Sequence, residues 1–292
     1  MNPTALMLPL LSFAQEPALV SLEATTIETS GPTYEAERGR LRVPQVRSQK
    51  GSTELELGFL RLRSTAQEPG PPLFFLPGGP GGAAIPMAES PVWARFLELG
   101  DVVLMDPRGV GRSQPDLDWS SERMHPELLF GDRATAVEHM AEVCALAAAE
   151  LGAKGVDFRG LTTVEMADDV DTLRRALGYE RVHLMGHSYG TILGLAIIRR
   201  HPGTVARFVS VGTAGPGHMM KLPSDLNQSL RAFSEVVAAD PVVGEGMPDL
   251  YAAFESVLAD LAVEPLPVTV RNPRSGEPLE VLTWLSADST LS

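Results

Sequence analysis

Four short apolar runs constrain the fold of this chain more than anything else in it: residues 71–79 (PPLFFLPGG), 101–106 (DVVLMD), 181–188 (RVHLMGHS) and 206–212 (ARFVSVG). A continuous apolar run of this length is the pattern of a strand buried on both faces. Helical spacing fills the intervals, over residues 92–99, 134–151, 164–177 and 189–200. Strands alternating with helices predict the α/β class, a mostly parallel sheet flanked by helices on both faces. Ahead of these runs, residues 33–63 alternate Leu, Val and Phe with Arg and Glu, the mark of half-buried antiparallel strands, with Gly51 and Ser52 in a turn. Such strands extend the sheet at one edge.

The pattern changes after Gly215. Residues 226–239 and 248–262 read as amphipathic helices, and PLPVTVRNPRSGEPLEVLTWL as a hairpin turning at 273–276. Residues 15–216 are therefore expected to form the core and 217–292 a partial helical cap or lid. The segment 1–14 stands apart. Its apolar run ALMLPLLSFA precedes QEP, and Ser12 and Ala14 have the small-residue spacing a signal peptidase accepts, although no Lys or Arg precedes the run. Cleavage after Ala14, and a secreted or periplasmic protein, is the expectation. The alternative is a loosely docked N-terminal segment on a cytoplasmic one.

Composition narrows the partners. With 44% hydrophobic and 21% charged residues among 292, the chain is not a disordered one. A net charge of −13 argues against a nucleic-acid partner, whose phosphates need Lys and Arg. No stretch reaches the ~18 apolar residues of a spanning helix, so no integral membrane segment is expected. The lone cysteine, Cys144, excludes an intramolecular disulfide and a cysteine-rich metal site, and its helical surroundings predict a buried, inert thiol. No cofactor or metal ion is implied, and the oligomeric state is left open.

The chemistry centres on Gly186-His187-Ser188-Tyr189-Gly190, where a buried strand meets the helix carrying Ile192, Leu193, Leu195 and Ala196. G-x-S-x-G at such a junction forms a nucleophile elbow, a strained turn that lifts the serine hydroxyl above the sheet. Gly186 and Gly190 are expected where strand and helix approach too closely for a side chain. The second element is Pro77-Gly78-Gly79-Pro80-Gly81-Gly82, directly after a buried strand. Acyl transfer needs donors aimed at a developing oxyanion, and a glycine-rich loop brings backbone N–H groups close. The N–H groups of Gly79 and Tyr189 are the candidates. A rival reading takes Gly79, Gly81 and Ala84 as G-x-G-x-x-A, with Asp106 about 20 residues on, as a dinucleotide site requires. Pro80 and Pro91 count against it, since one removes a donor and the other interrupts the helix.

The third element is Asp106-Pro107-Arg108-Gly109-Val110-Gly111-Arg112-Ser113, a tight turn at a strand end. Asp106 is expected to fix the turn through backbone hydrogen bonds and Arg108 to pair with a carboxylate, both supporting the site from beside it. Together FFLPGGPGG, DPRGVGRSQP and DDVDTLRRALGYERVHLMGHSYGTILGLAIIRRHP resemble the proline iminopeptidase and tripeptidyl aminopeptidase branch of the α/β-hydrolase family, over residues 55–215. The resemblance implies an α/β-hydrolase fold and a Ser-His-Asp hydrolase that removes N-terminal residues from peptides. Ser188 carries over as nucleophile, and Gly79 with Tyr189 as the oxyanion pair. Relatives that cleave esters or amides share these motifs, so a peptide or a small amide or ester is the implied substrate.

The triad of that family runs Ser, Asp, His, with the last two after the cap. The six histidines here are His125, His139, His183, His187, His201 and His218, and none follows His218. The C-terminal strands that carry acid and base are thus expected to be missing, as from a truncated chain. His183 is expected as a hydrogen-bonded core residue, His187 as a packing neighbour pointing away from the serine, and His201 as a cap on the elbow helix. His218, after the fourth buried run, is the one candidate base. No signature selects among Asp225, Asp240, Asp249, Asp260 and Asp288, while Asp168, Asp169 and Asp171 read as a solvated helix face with Asp171 and Arg175 paired. Two classes of function remain: a serine hydrolase of aminopeptidase type, and a catalytically incomplete chain acting as a binding module or fragment.

Overall fold

A computed structural model of the chain describes residues 18–117, 133–217, 222–264, 266–271 and 278–283. Its strands are β1 (Ala18–Ile27), β2 (Tyr34–Pro44), β3 (Glu54–Leu62), β4 (Leu73–Leu76), β5 (Val102–Met105), β6 (Val182–His187), β7 (Val205–Val211), β8 (Leu266–Arg271) and β9 (Pro278–Thr283). The α-helices are α1 (Trp93–Leu97), α2 (Arg133–Ala153), α3 (Thr163–Ala176), α4 (Tyr189–Arg200), α5 (Pro223–Ala239) and α6 (Leu250–Val263).

The chain divides into two compact units, Met1–Asp116 with Asp157–Ala214, and Leu117–Val156 with Gly215–Ser292. The sequence reading kept 117–156 in the core. Helix α2 explains the difference, because its exposed Val137 and Leu146 and its buried Val143 and Leu151 spread apolar residues around the helix, leaving no stripe that names a partner.

The first unit holds a seven-stranded sheet in the order β1-β2-β3-β5-β4-β6-β7. Strands β1, β2 and β3 run antiparallel, β3 is antiparallel to β5, and β5, β4, β6 and β7 are mutually parallel. In β4, β5 and β6 the apolar runs are continuous because both faces are covered, whereas β7, expected to be buried on both faces, is the edge strand and leaves Val209 and Val211 exposed. On one face Phe74, Val103 and Leu184 pack with Val170 and Leu173 of α3 and Leu193 and Ile197 of α4. On the other, Phe75 and Leu104 pack with Trp93 and Leu97 of α1. Neighbouring residues of one strand thus enter different cores.

Strand β1 went unread in the sequence. It is an edge strand whose Leu19, Val20 and Leu22 are all exposed, and its register shifts between Leu19 and Ser21. Without a buried face, nothing imposes clean alternation.

The strand order places a functional crevice. From β4 the chain crosses to β5 on one side, and from β6 to β7 on the other. Loops leaving the carboxyl ends of β4 and β6 therefore diverge, opening the crevice where open α/β sheets bind ligands. Leu76 pairs with Gly186 at that end, so the glycine loop and the serine elbow emerge side by side.

In the second unit, β8 and β9 pair antiparallel, flanking the expected turn at 273–276, which lies outside the described residues. Helices α5 and α6 are joined by Tyr251, whose hydroxyl donates to Asn227 Oδ1 (2.7 Å) and whose backbone N–H donates to Ser234 Oγ (3.1 Å). Cys144 is exposed on α2, not buried: residues 143 and 151 take the packed side of the helix and 144 does not share it. Among the described residues no helix is long and apolar enough to cross a membrane.

Candidate active site

Ser188 sits between β6 and α4 with φ 53° and ψ −117°, and among the described residues it is the one non-glycine with positive φ. A serine in this region is strained by roughly 1–3 kcal/mol, and such strain persists only where the surroundings impose it. They do so here through backbone. Ser188 N donates to Val211 O (2.8 Å), and Thr191 N donates to Ser188 O (2.9 Å). A Cβ at Gly186 would stand 2.5 Å from Gly190 O, and one at Gly190 2.0 Å from Leu76 O. The elbow glycines are thus required by close backbone approach, and Gly190 meets the neighbouring strand β4 as well as its own turn.

The glycine loop lies against this turn. A Cβ at Gly78 would come within 3.3 Å of Ser188 Cβ and 3.1 Å of His187 Nδ1. Gly79 (φ 121°) and Gly81 (φ 102°) adopt conformations that side chains resist, and Gly82 N donates to Gly78 O (3.1 Å). Tyr189 is the first residue of α4, where N–H groups have no acceptor within the helix. Its hydroxyl is 2.8 Å from Thr163 Oγ1 at the start of α3, so the residue is held from both ends.

Asp106 is fully buried, and its carboxylate is filled by backbone donors: Ala84 N (2.7 Å) and Ile85 N (2.9 Å) on Oδ1, and Arg112 N (2.9 Å) on Oδ2. Ser113 Oγ donates to its carbonyl (2.7 Å). It fixes its own turn, as expected, and also the far end of the glycine loop. With its oxygens so engaged it has none for a ribose, and only a 3-10 turn (Ile85–Glu89) follows the loop, which removes the dinucleotide alternative.

Arg108 pairs with Asp169 through Nε (2.5 Å) and NH2 (2.8 Å), and with Glu165 (3.3 Å). It also donates to the carbonyls of Pro44 (3.0 Å), Gly160 (3.1 Å) and Gln45. Arg47 joins the cluster through Glu165 and Asp169, both at 2.6 Å. Burial pulls down the Arg47 pKa, but Asp169 and Glu165 outweigh it and hold the group above its usual value. The solvated acidic face expected on α3 is therefore a misreading: Asp169 is 1% and Asp171 7% exposed. Asp171 binds Arg175 (3.0 Å) as expected, and Arg174 (2.8 Å) besides.

Among the described residues of the first unit, His183, His187 and His201 make no hydrogen bond to Ser188, and His139 lies on α2 in the second unit. His183 is half-buried rather than a hydrogen-bonded core residue, and its buried Nδ1 has no partner there. It faces Arg207 across the β6–β7 register; burial first, then Arg207 and Arg181, hold its pKa below the usual value. His187 is exposed, with Nδ1 beside Gly78. His201 ends α4 and meets Asp168 (2.9 Å). His218 and His125 lie outside the described residues, as does Asp288. Asp240 and Asp249 are engaged locally, by Val242 N (2.8 Å) and Ala252 N (2.9 Å).

Thr191 was missed in the sequence. It is 0% exposed, and its hydroxyl reaches Ser188 O (2.7 Å) and receives Ala214 N (2.9 Å), tying the elbow to the segment after β7. The readable signal was a polar residue directly after the elbow glycine, on the buried side of α4.

Against known proteins, the chain is 29% identical over 255 residues to the serine protease Hip1 of Mycobacterium tuberculosis, covering 82% of this chain and 48% of that one. It is 29% identical over 195 residues to tripeptidyl aminopeptidase of Streptomyces coelicolor, 61% of this chain and 35% of that one. Carboxylesterase B of Mycobacterium tuberculosis is 34% identical over 147 residues, 46% and 28% of the two chains. The chain thus spans about half the length of its curated relatives, or less. The family model of the α/β hydrolase fold matches residues 71–250, which takes in the four parallel strands of the sheet with the glycine loop and the elbow. The chain belongs to the α/β-hydrolase fold family.

Proposed function

We propose that this chain carries the nucleophile of a serine peptidase that removes residues from the N-terminus of peptides. The observation that carries the reading is the strained Ser188, with φ 53° at the head of α4, next to a loop of glycine N–H groups. In this reading Ser188 Oγ attacks the scissile carbonyl carbon while a base takes its proton. The carbonyl oxygen becomes an oxyanion held by the N–H groups of Gly79 and Tyr189. Collapse expels the peptide amine, which takes the proton from the base, and water then hydrolyses the acyl-enzyme.

None of His183, His187 and His201 hydrogen-bonds Ser188, and the base is assigned to a residue outside the described ones. His218 is the candidate within this chain, and sequence beyond it is the alternative, which the partial coverage of the relatives supports. The peptide substrate is supported by the relatives named as a serine protease and a tripeptidyl aminopeptidase. A second reading, an esterase or amidase, is supported by the carboxylesterase relative. Work outside the cytoplasm rests on the segment 1–14, and a mature N-terminus at Gln15 is the matching outcome of protein sequencing.

A panel of chromogenic substrates tests this. Prolyl, aminoacyl and tripeptidyl p-nitroanilides with free amino termini are compared with N-blocked versions and with p-nitrophenyl acetate, for wild type and Ser188→Ala. The proposal expects Ser188-dependent cleavage of the free-amine anilides. Cleavage of the ester alone supports the second reading. If base and acid lie in sequence beyond residue 292, the 292-residue chain itself is expected to turn over weakly, since the oxyanion hole alone leaves about 10³–10⁴ over water.

A further inference from the structure

We infer that Asp106 is a positioning residue for the oxyanion hole, acting through the glycine loop and not on the substrate; the inference rests on the serine-hydrolase reading above. The loop leaves β4 at Leu76 and contains Gly78, Gly79, Gly81 and Gly82. Glycine has the widest conformational freedom of any residue, so a donor on such a loop is aimed only if the loop is tethered at both ends. One end is tethered by β4 and by the packing of Gly78 against His187 and Ser188. The other is tethered by Asp106. Its Oδ1 receives both Ala84 N and Ile85 N, at 2.7 and 2.9 Å, in a site where Ala84 and Asp106 are both 0% exposed.

The two oxygens of Asp106 have separate duties. Oδ1 serves the glycine loop, and Oδ2 serves Arg112 N in the following turn. The carboxylate stands at the carboxyl end of β5, beside β4, so the tether joins the loop to the same sheet that carries Ser188. Removing it leaves two buried N–H groups without an acceptor and releases the loop downstream of Gly79. Catalysis is sensitive to such release, because a 1 Å misplacement can cost about 10² in rate.

The test uses the full-length enzyme with Asp106→Ala and Asp106→Asn, turnover normalised to sites titrated by a fluorophosphonate, and affinity for a boronic acid that forms a tetrahedral adduct. Asp106→Ala is expected to lower kcat about 10²-fold with KM within about twofold, and to weaken the boronate in parallel. Asp106→Asn keeps an oxygen for Ala84 and Ile85 and turns a nitrogen toward Arg112. It is expected to recover most of the lost kcat while remaining less stable than wild type. A soluble Asp106→Ala enzyme with wild-type kcat per titrated site and unchanged boronate affinity overturns the inference. So does an Asp106→Asn enzyme as impaired as the alanine variant, because the effect then belongs to the Arg112 turn. If Asp106→Ala does not fold, Ala84→Pro decides, because it removes one loop donor and leaves Arg112 N on Oδ2: loss of kcat and boronate affinity together supports the inference, and loss of stability without either overturns it. Turnover indifferent to Ser188→Ala sinks the hydrolase reading and this inference together, whereas Ser188-dependent turnover indifferent to Asp106 sinks the inference alone.

Discussion

Gly190 lies so close to β4 that a Cβ on it would stand 2.0 Å from the carbonyl oxygen of Leu76. The obstacle is backbone in the middle of a sheet and cannot swing aside, so the helix or the strand must shift. Gly190→Ala is expected to destabilise the protein by about 3 kcal/mol, or to leave it insoluble, in urea unfolding. Gly152→Ala is the control. Gly152 lies in the last turn of α2 with nothing within 4 Å of its added Cβ, and there alanine should be neutral or stabilising by up to ~1 kcal/mol. Equal effects at the two positions would contradict the close-approach argument.

The Asp169 carboxylate receives Arg108 and Arg47 in a site where the Arg108 side chain is 0% exposed. Breaking one side of a buried pair leaves an uncompensated charge, which costs about 3–5 kcal/mol. Asp169→Asn leaves Arg108 only Glu165 as a carboxylate partner, at 3.3 Å, and a loss of about 3 kcal/mol is expected. Glu54→Gln, in a pair with Arg42 where both side chains are about 40% exposed, should change stability by less than about 1 kcal/mol. Similar losses from both variants would show that the cluster is not the buried tie described.

Tyr179 donates its hydroxyl to Asp101 Oδ2 (2.5 Å), and burial together with that carboxylate pushes its pKa from 10.0 up to about 12. The folded protein therefore keeps a proton that the unfolded chain releases between these values. By linkage, the resulting stability is complete below pH 10 and lost as pH rises through about 12. Urea midpoints measured from pH 8 upward should fall more shallowly for Tyr179→Phe than for wild type over that window. Parallel curves would contradict the assignment.

What the sequence disclosed was local, and what it concealed was not. Helix α4 was read to the residue, because a serine turn opens it and His201-Pro202-Gly203 closes it. The glycine loop and elbow were legible because close backbone approach leaves glycine in the sequence. The acidic face of α3 was misread because the partner of Asp169 is Arg108, 61 positions away and on another element. His183 was misread for a related reason: a strand pattern says that a residue is near the core, but not that its neighbour in the next strand is Arg207. The second tether of Asp106, across to Ala84 and Ile85, is equally a matter of strand order, since β5 lies beside β4.

The role of Ser188 is tested most directly by covalent labelling. The protein is treated with a fluorophosphonate and digested, and the peptide containing Gly186-His187-Ser188-Tyr189-Gly190 is sequenced by mass spectrometry. A single adduct on Ser188, absent from Ser188→Ala and accompanied by loss of its hydrolytic turnover, is the expected result. An adduct on any other residue, or turnover undiminished in Ser188→Ala, would contradict the account.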